Sequence, residues 1–461
     1  MYKKIEILGL RGFNEKQTLN IAVPKNGNNG SGLTVIVGPN NSGKSTIYEA
    51  FRAISQNQTP SFTEGKRNKI AGDKIEISIF DIDDNSLTLK TTSNGGSETE
   101  YISNKLEKEK VKFLTLPSRR TFSPFFGKSI YDRNQYISTS NLQAVRGSQF
   151  DNFSHRLFQI QKDPTTFNSE LSKVLGYSPN WNIDQADNGN YYLKFINDNS
   201  SHNSDGAGEG LLSVFTIVDA LYDSRSEDLI FIDEPELSLH PSLQRKLLKL
   251  LLEYSKDRQI IISTHSPFFV SWPSILNGGR IARTVKETSG TKIYQLEEKT
   301  TNDITPFLDN LNNPHILGLD ASEIFFLEDN IILTEGQEDV VFLNKILEIK
   351  QIQTNGVFYG WGVGGAPNTR KVIKMLEDLG FKKITSILDN NMSSLACSLS
   401  KEFPKYNFVC IPTNDIRDKP EVKHRDGVSG LIDTSGKNIK TKYEARIIEI
   451  FNEINNYFLK D

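Results

Sequence analysis

The 461-residue chain is poor in cysteine, in long apolar runs and in net charge. Its two cysteines, Cys397 and Cys410, cannot build a disulfide framework and lack the paired spacing of a zinc site. No apolar run approaches the roughly 20 residues that span a bilayer, so a membrane is not an expected partner. The opening "MYKKIEILGL" alternates like a strand rather than a secretory h-region, which makes the cytoplasm the expected location. With 54 basic against 57 acidic residues, a net charge of −3 excludes a wholesale basic coat but leaves room for a local groove. The clusters "SRRTF" (118–122), "SLQRKLLK" (242–249) and "KHR" (423–425) could line one, although runs this short are also ordinary solvated faces. No heptad run is long enough for a coiled-coil arm, and no internal repeat is present. A chain of this length, 37% hydrophobic and 24% charged, reads as a soluble globular protein of two or three domains.

Strand and helix signals fall into two blocks. In the first, "KIEILGLRGF" and "GLTVIVG" read as strands, and "STIYEAFRAI" carries apolar residues at helical spacing. Period-two alternation from 73 to 102 predicts a hairpin turning at Asp84-Asn85-Ser86. Another strand, "VKFLTLPS", precedes a weakly patterned helical region at about 130–175. Next come the strand "NYYLKFI", a polar loop over 197–210, the helix "LLSVFTIVDALY", the strand "DLIFID", a further helix and the strand "QIIIST". Mixed signals fill roughly 285–325. Beyond them "NIILTEG", "GVFYGWG", "KITSILD" and "NFVCIP" alternate with helices, the signature of a second, parallel-sheet α/β domain. The expected division is 1–290, a connector at 291–325, and 326–461.

The segment "GPNNSGKST", from Gly38, Pro39, Asn40, Asn41, Ser42, Gly43 and Lys44 to Ser45 and Thr46, fits G-x-x-x-x-G-K-[ST] between a strand and a helix. Backbone N–H groups there face phosphates, Lys44 reaches the β- and γ-phosphates, and Ser45 offers a hydroxyl to Mg²⁺. ATP with Mg²⁺ is the expected cofactor pair. "LIFIDEPE" ends a buried strand at Asp233, placed to hold Mg²⁺ through water, with Glu234 beside it to orient or deprotonate the attacking water. "IIISTHS" puts His265 at the end of another strand, within reach of a γ-phosphate.

These motifs, with "LRGF" and "DEPELSLHP", resemble the ABC-type ATPases of the RecF, Rad50 and SMC branch over about residues 1–285. The resemblance implies an ABC-type P-loop fold, a mixed sheet with a helical lobe, and head-to-tail dimers in which a signature loop closes the partner's nucleotide. The candidate loop is "SDGAGEG", with Ser204, Gly206, Gly208 and Glu209 as nucleotide contacts. "LPSRR" stands near the place of a Q-loop, leaving Arg119 and Arg120 as phosphate or DNA contacts.

In the second block, Glu335 follows the strand "NIILT", Asp339 lies in the first turn of the next helix, and Asp389 ends the strand "ITSIL". Parallel strands present their carboxyl ends on one edge, so these carboxylates can converge there. Three of them repel one another unless a cation sits among them, which points to Mg²⁺ or Mn²⁺. The half resembles a Toprim domain, whose pattern is a Glu and then Asp-x-Asp; Asn391 stands where the second aspartate belongs. A P-loop ATPase joined to a Toprim-like domain resembles the overcoming-lysogenization-defect (OLD) nucleases, whose E-G-x-x-D motif is matched by Glu335, Gly336 and Asp339.

That resemblance implies metal-dependent cleavage of DNA in antiphage defence. Glu335 would be acid or base and ligand, Asp339, Asp389 and Asn391 ligands, and Lys419 the phosphate stabiliser. Self-association and a second defence component, such as a retron reverse transcriptase with its msDNA, are implied as partners. An amide at 391 brings an oxygen but no charge, so Asp415 or Asp418 would have to compensate, or the domain is kept for binding alone. The rival readings are a RecF- or SMC-like repair ATPase with a non-cleaving second domain, and an assembly protein switched by ATP binding.

Overall fold

The computed structural model describes residues 1–25, 27–118, 127–128, 130–139, 153–197, 200–203, 208–308, 326, 329–422, 426–436 and 438–460. Arg119, Arg120, Ser204, Gly206, the "KHR" cluster and residues 309–325 of the expected connector lie outside these described residues. The chain divides into two units, Met1–Gln295 and Leu296–Asp461. No described helix is long and apolar enough to cross a membrane.

The first unit opens with β1 (Tyr2–Leu8), β2 (Gln17–Asn20), β3 (Leu33–Val37) and helix α1 (Lys44–Ser55). Strands β4 (Glu76–Asp81), β5 (Ser86–Thr91), β6 (Thr99–Asn104) and β7 (Leu114–Leu116) follow. Next are α2 (Arg133–Thr139), α3 (Phe153–Ile160), α4 (Thr165–Leu175), β8 (Trp181–Gln185), β9 (Tyr191–Asn197) and β10 (Ser200–Asn203). The unit ends with α5 (Glu209–Tyr222), β11 (Leu229–Asp233), α6 (Pro241–Tyr254), β12 (Gln259–Ser263), α7 (Trp272–Leu276), β13 (Arg280–Glu287) and β14 (Gly290–Gln295).

A six-stranded sheet in the order β14-β13-β3-β12-β11-β7 carries the P-loop; only the β13–β14 pair in it is antiparallel. Its inner strands β3, β11 and β12 are buried at every residue, as expected of apolar runs covered on both faces. The antiparallel sheet β2-β1-β4-β5-β6 shares a core with it through α1. Phe51 of α1 sits edge-on to Phe231 of β11 at 5.2 Å, while Ile47 and Ile54 join Ile5, Ile7 and Ile77. The hairpin β4–β5 turns where the alternation predicted it.

A helical lobe packs α4 beside α5 and α6, around Phe167 set edge-on to Trp181, Phe215 and Tyr222. Within it Arg156 is buried and forks onto Asp219, with N–O distances of 2.9–3.3 Å, and reaches Asp223 at 2.6 Å. Two expectations are corrected here. The polar loop over 197–210 contains β10, which extends the β8–β9 hairpin into a three-stranded sheet. The first unit continues past 290 to Gln295, because β14 completes the P-loop sheet.

The second unit contains α8 (Glu298–Leu308), β15 (Ile331–Leu333), α9 (Gln337–Ile349), β16 (Val357–Phe358), α10 (Thr369–Asp378), β17 (Ile384–Leu388), α11 (Ser393–Glu402), β18 (Asn407–Cys410) and α12 (Thr441–Leu459). All four strands are parallel, in the order β16-β15-β17-β18. Helix α12 buries Ile447, Ile450, Phe451, Ile454 and Phe458 at helical spacing in a core shared with Leu343 and Ile346 of α9. The fold class is therefore α/β in both units: a mixed P-loop sheet with a helical lobe, then a parallel-sheet domain.

Candidate functional site

At the carboxyl edge of the first unit's sheet, the chain leaves β3 through Gly38 at φ +149° and enters α1 through Gly43 at φ +104°. Both are conformations that side chains resist, and both positions lack room. A Cβ on Gly38 would lie 2.4 Å from the Thr284 carbonyl oxygen, and one on Gly43 would lie 2.8 Å from Thr291 Cγ2. Ser42 Oγ and Thr284 Oγ1 share a 2.6 Å hydrogen bond. The β13–β14 hairpin thus clamps the loop from one side.

Lys44 Nζ folds back to donate to the carbonyls of Gly38 at 2.7 Å and Pro39 at 2.9 Å. Burial pushes its ammonium down to about 8 despite the opposing pull of Glu234, Asp233 and Glu236. A phosphate at the loop would add negative charge to that of these acids and so favour the ammonium form of Lys44.

The loop opens onto a cavity of about 350 Å³ lined by Asn40–Thr46, Glu234 and His265, and also by Arg11, Gly12, Lys286 and Thr291. Three cations facing one carboxylate suit a polyphosphate. Asp233 does not line it; the carboxylate is buried behind the wall and accepts a hydrogen bond from Ser263 Oγ. Glu234 sits at φ +47°, held by its N–H donating to the Ser263 carbonyl at 2.8 Å. His265 Nε2 lies 3.8 Å from Glu234 Oε1, and burial with the nearby Lys44 charge lowers its pKa, which favours neutral imidazole. Gly208 and Glu209 lie away from this cavity; Glu209 instead accepts from Ser238 Oγ at 3.0 Å.

Four residues here carried no earlier assignment. Arg11, Lys286 and Thr291 arrive from remote turns and strands, Arg11 with its Nε 2.9 Å from Glu49. Glu236, raised by burial, accepts the His265 backbone N–H at 2.6 Å and so fixes that loop. Its place in "DEPE", two residues beyond Glu234, was the available signal.

In the second unit, β15 and β17 deliver Glu335 and Asp389 to one edge. Asp389 N–H donates to Glu335 Oε1 at 2.8 Å across 54 residues of sequence. Asp339 caps α9, its Oδ2 accepting the Gly336 N–H at 2.8 Å. Burial followed by the charges of Glu335, Asp339 and Asp415 pushes Asp389 up to about 8. Asp339 is raised to about 6 by burial and then by Glu335 and Asp415, and Glu335 is raised by burial and by Asp415. Four carboxyl groups therefore share one electrostatic neighbourhood.

Asp415 belongs to it, whereas Asp418 does not, being paired with Lys440 at 2.5 Å and held below the usual carboxylate range. Lys419 Nζ lies 2.5 Å from Asp415 and 3.2 Å from Glu338, and Arg417 meets Glu338 at 2.7 Å. Asn391 is exposed on the short turn Asn390–Met392.

Among the described residues, no group of three or more His, Cys, Asp or Glu side chains is drawn close enough to hold a metal ion. The expected ligand set of Glu335, Asp339, Asp389 and Asn391 is thus not a preassembled cage. Burial and the mutual repulsion of their charged forms favour protonated carboxyls there, and two of the acids accept backbone amides. The donor chemistry still fits a hard divalent cation: oxygen ligands only, crowded enough that losing protons requires added positive charge.

Residues 33–271 match the family model described as "AAA domain, putative AbiEii toxin, Type IV TA system". An "Endonuclease GajA" of Bacillus cereus (strain VD045) is 28% identical over 272 residues, covering 58% of this chain and 44% of its own. An "OLD nuclease" of Thermus scotoductus (strain ATCC 700910 / SA-01) is 26% identical over 378 residues, 67% of this chain and 68% of its own. An "Old nuclease" of Escherichia phage P2 is 31% identical over 119 residues, 25% of this chain and 19% of its own. The match thus spans under half the length of the Bacillus cereus and phage relatives. Their names, with the matched ATPase domain, bear out the resemblance to the OLD-family ATPase nucleases.

Proposed function

The chain belongs to the AAA domain family whose model it matches over residues 33–271, and from that premise we propose that it is an ATP-hydrolysing, metal-dependent DNA endonuclease of OLD type acting in antiphage defence. The observation that carries the second activity is the Asp389–Glu335 hydrogen bond, which brings two acids 54 residues apart to one sheet edge beside Asp339 and Asp415.

In the first unit, Lys44 and Arg11 supply charge to the phosphates, Ser45 would hold Mg²⁺, and Asp233, outside the cavity wall, would reach it through water. Glu234, aimed by its left-handed backbone, takes the proton of the attacking water. Neutral His265 reads the γ-phosphate. Self-association through this unit, in a homodimer or larger assembly, would bring Gly208 and Glu209 to a partner's nucleotide.

In the second unit, Glu335, Asp389, Asp339 and Asp415 would hold Mg²⁺ or Mn²⁺, with Asn391 contributing only a neutral oxygen. When bound, such an ion supplies Lewis acidity toward a phosphoryl oxygen. Glu335, oriented by the Asp389 amide and raised in proton affinity, is placed to exchange a proton with water or the leaving oxygen. Lys419 supplies positive charge to the phosphate once it leaves Asp415 and Glu338.

A second reading has its own support. Asn391 is neutral and exposed, and Lys419 is already engaged by two carboxylates, as expected of a binding domain that no longer cuts. Supercoiled plasmid incubated with Mg²⁺ or Mn²⁺ separates the two. Nicking by the wild type that disappears in Glu335→Ala and Asp389→Ala supports the nuclease; cutting that persists in both removes it. Phosphate release by the wild type, lost in Glu234→Gln, tests hydrolysis separately.

A further inference from the structure

Beside Glu335 the chain makes a tight turn, Gly360-Trp361-Gly362-Val363-Gly364-Gly365, in which all four glycines have left-handed φ values between 48° and 110°. Three backbone hydrogen bonds fasten this turn to the segment that bears the acid. Tyr359 N–H donates to Ile332 O at 2.9 Å, Val363 N–H to Thr334 O at 2.9 Å and Gly365 N–H to Glu335 O at 2.7 Å. Gly362 is packed so closely that a Cβ there would lie 2.7 Å from the Gly336 backbone. The position of residue 361 is therefore fixed relative to Glu335, not left to a loose loop.

What stands at that position is an indole, 54% exposed. Tryptophan is seldom left so open in a folded chain, and the other two in this protein, Trp181 at 8% and Trp272 at 5%, are buried. More than half of Trp361 is open to solvent, while its neighbours Tyr359 and Val363 are fully covered. A flat π-face on a turn fastened to the segment that bears Glu335, the acid proposed to act on a phosphodiester, matches one ligand chemistry above others, an unpaired nucleobase. Stacking on an aromatic face is the recurrent way to hold a single strand, and it tolerates any base.

We propose that Trp361 is a stacking platform for an unpaired base of nucleic acid, a positioning residue that sets the strand against the carboxylate edge. The proposal rests on the nuclease reading for the identity of its ligand, and it adds a preference for single-stranded or locally opened substrate.

The test uses the full chain in EDTA, with a short oligo(dT) as probe. Binding is expected to quench tryptophan fluorescence, because Trp361 is the exposed one of the three. Trp361→Ala should abolish the quench and weaken oligo(dT) binding between about 5- and 100-fold. Trp361→Tyr should retain most of the affinity, and matching far-UV spectra and melting curves guard against misfolding. An unchanged quench and unchanged affinity in Trp361→Ala would overturn the proposal. So would a change of oligomeric state with oligo(dT) affinity intact, which would make the indole a contact between copies of the chain.

The two readings fail separately. Wild type that does not cut plasmid yet shows the Trp361-dependent quench loses the nuclease and keeps the platform. Wild type that cuts while Trp361→Ala binds and cuts equally well loses only the platform.

Discussion

The nucleotide cradle takes seven wall residues from one run, Asn40–Thr46, and closes around them with a hairpin packed against two glycines. At the other carboxyl edge, Glu335, Asp339, Asp389 and Asp415 arrive from separate segments, and burial with their neighbouring charges raises the proton affinity of Asp339 and Asp389. Both places lie where parallel strands end, yet one is set before its ligand arrives and the other is not. The loop satisfies itself: Lys44 bonds to its own carbonyls, so the cradle stands without phosphate. Among the acids, Glu335 and Asp339 accept one backbone N–H each and Asp415 meets Lys419, but their charges are not neutralised as a group, so bringing them together would take a cation. Preorganisation at a single contiguous turn and assembly by topology are thus two routes to an anion-handling edge.

The sharpest way to break this contrast is to remove one acid. Glu335→Ala is expected to lower plasmid cleavage by about 10²- to 10⁴-fold, the range for losing a positioned acid or base, while phosphate release stays at the wild-type level. Gel quantification and a phosphate assay on the same preparation check it, and parallel losses would mean that the two edges are not separable. Stability gives the next largest effect. Arg156→Met leaves Asp219 buried without its partner and should destabilise the first unit by about 3–5 kcal/mol. Arg156→Met with Asp219→Leu should recover much of that, read by denaturant unfolding.

A pH series sharpens the description of the cradle. Free Lys44 loses its proton near 8, below the usual lysine range, and only its charged form attracts phosphate. Nucleotide affinity should therefore hold below pH 8 and fall by up to about tenfold per pH unit above it. Isothermal titration at pH 7, 8 and 9 measures this, and a flat series would show that Lys44 remains charged in the free protein. The smallest effect expected is at Asn391. Asn391→Asp adds one negative charge at the exposed end of the acid edge and should tighten Mn²⁺ binding by about tenfold or less. No change would place residue 391 outside the ion's reach.

How much of this could be read from residues alone follows the same division. Gly38–Thr46 and Asp233-Glu234 announce themselves because the chemistry sits in consecutive letters after buried strands. Lys286 and Thr291 do not, since they reach the cavity from about 245 residues beyond the loop and nothing local marks them, while Arg11 lies in the quoted "LRGF" but carries no sign there of a place in the cavity wall. In the second unit the alternation of strands and helices was enough to place Glu335 and Asp389 on one edge. Sequence order could not rank Asp415 over Asp418; the choice is made by Lys440, which pairs with Asp418 and withdraws it. Strand β10 escaped notice because "SSHN" has none of the apolar alternation that marks a half-buried strand, and it pairs at the edge of a short antiparallel sheet.

The crowding of Gly362 against Gly336 makes the turn and the acid behave as one rigid part. A methyl group at 362 must push the neighbouring backbone aside, and that backbone is the next peptide after Glu335. Damage at a residue with no functional group would therefore surface as a misplaced carboxylate, so an alanine at this silent position could impersonate the loss of the acid itself.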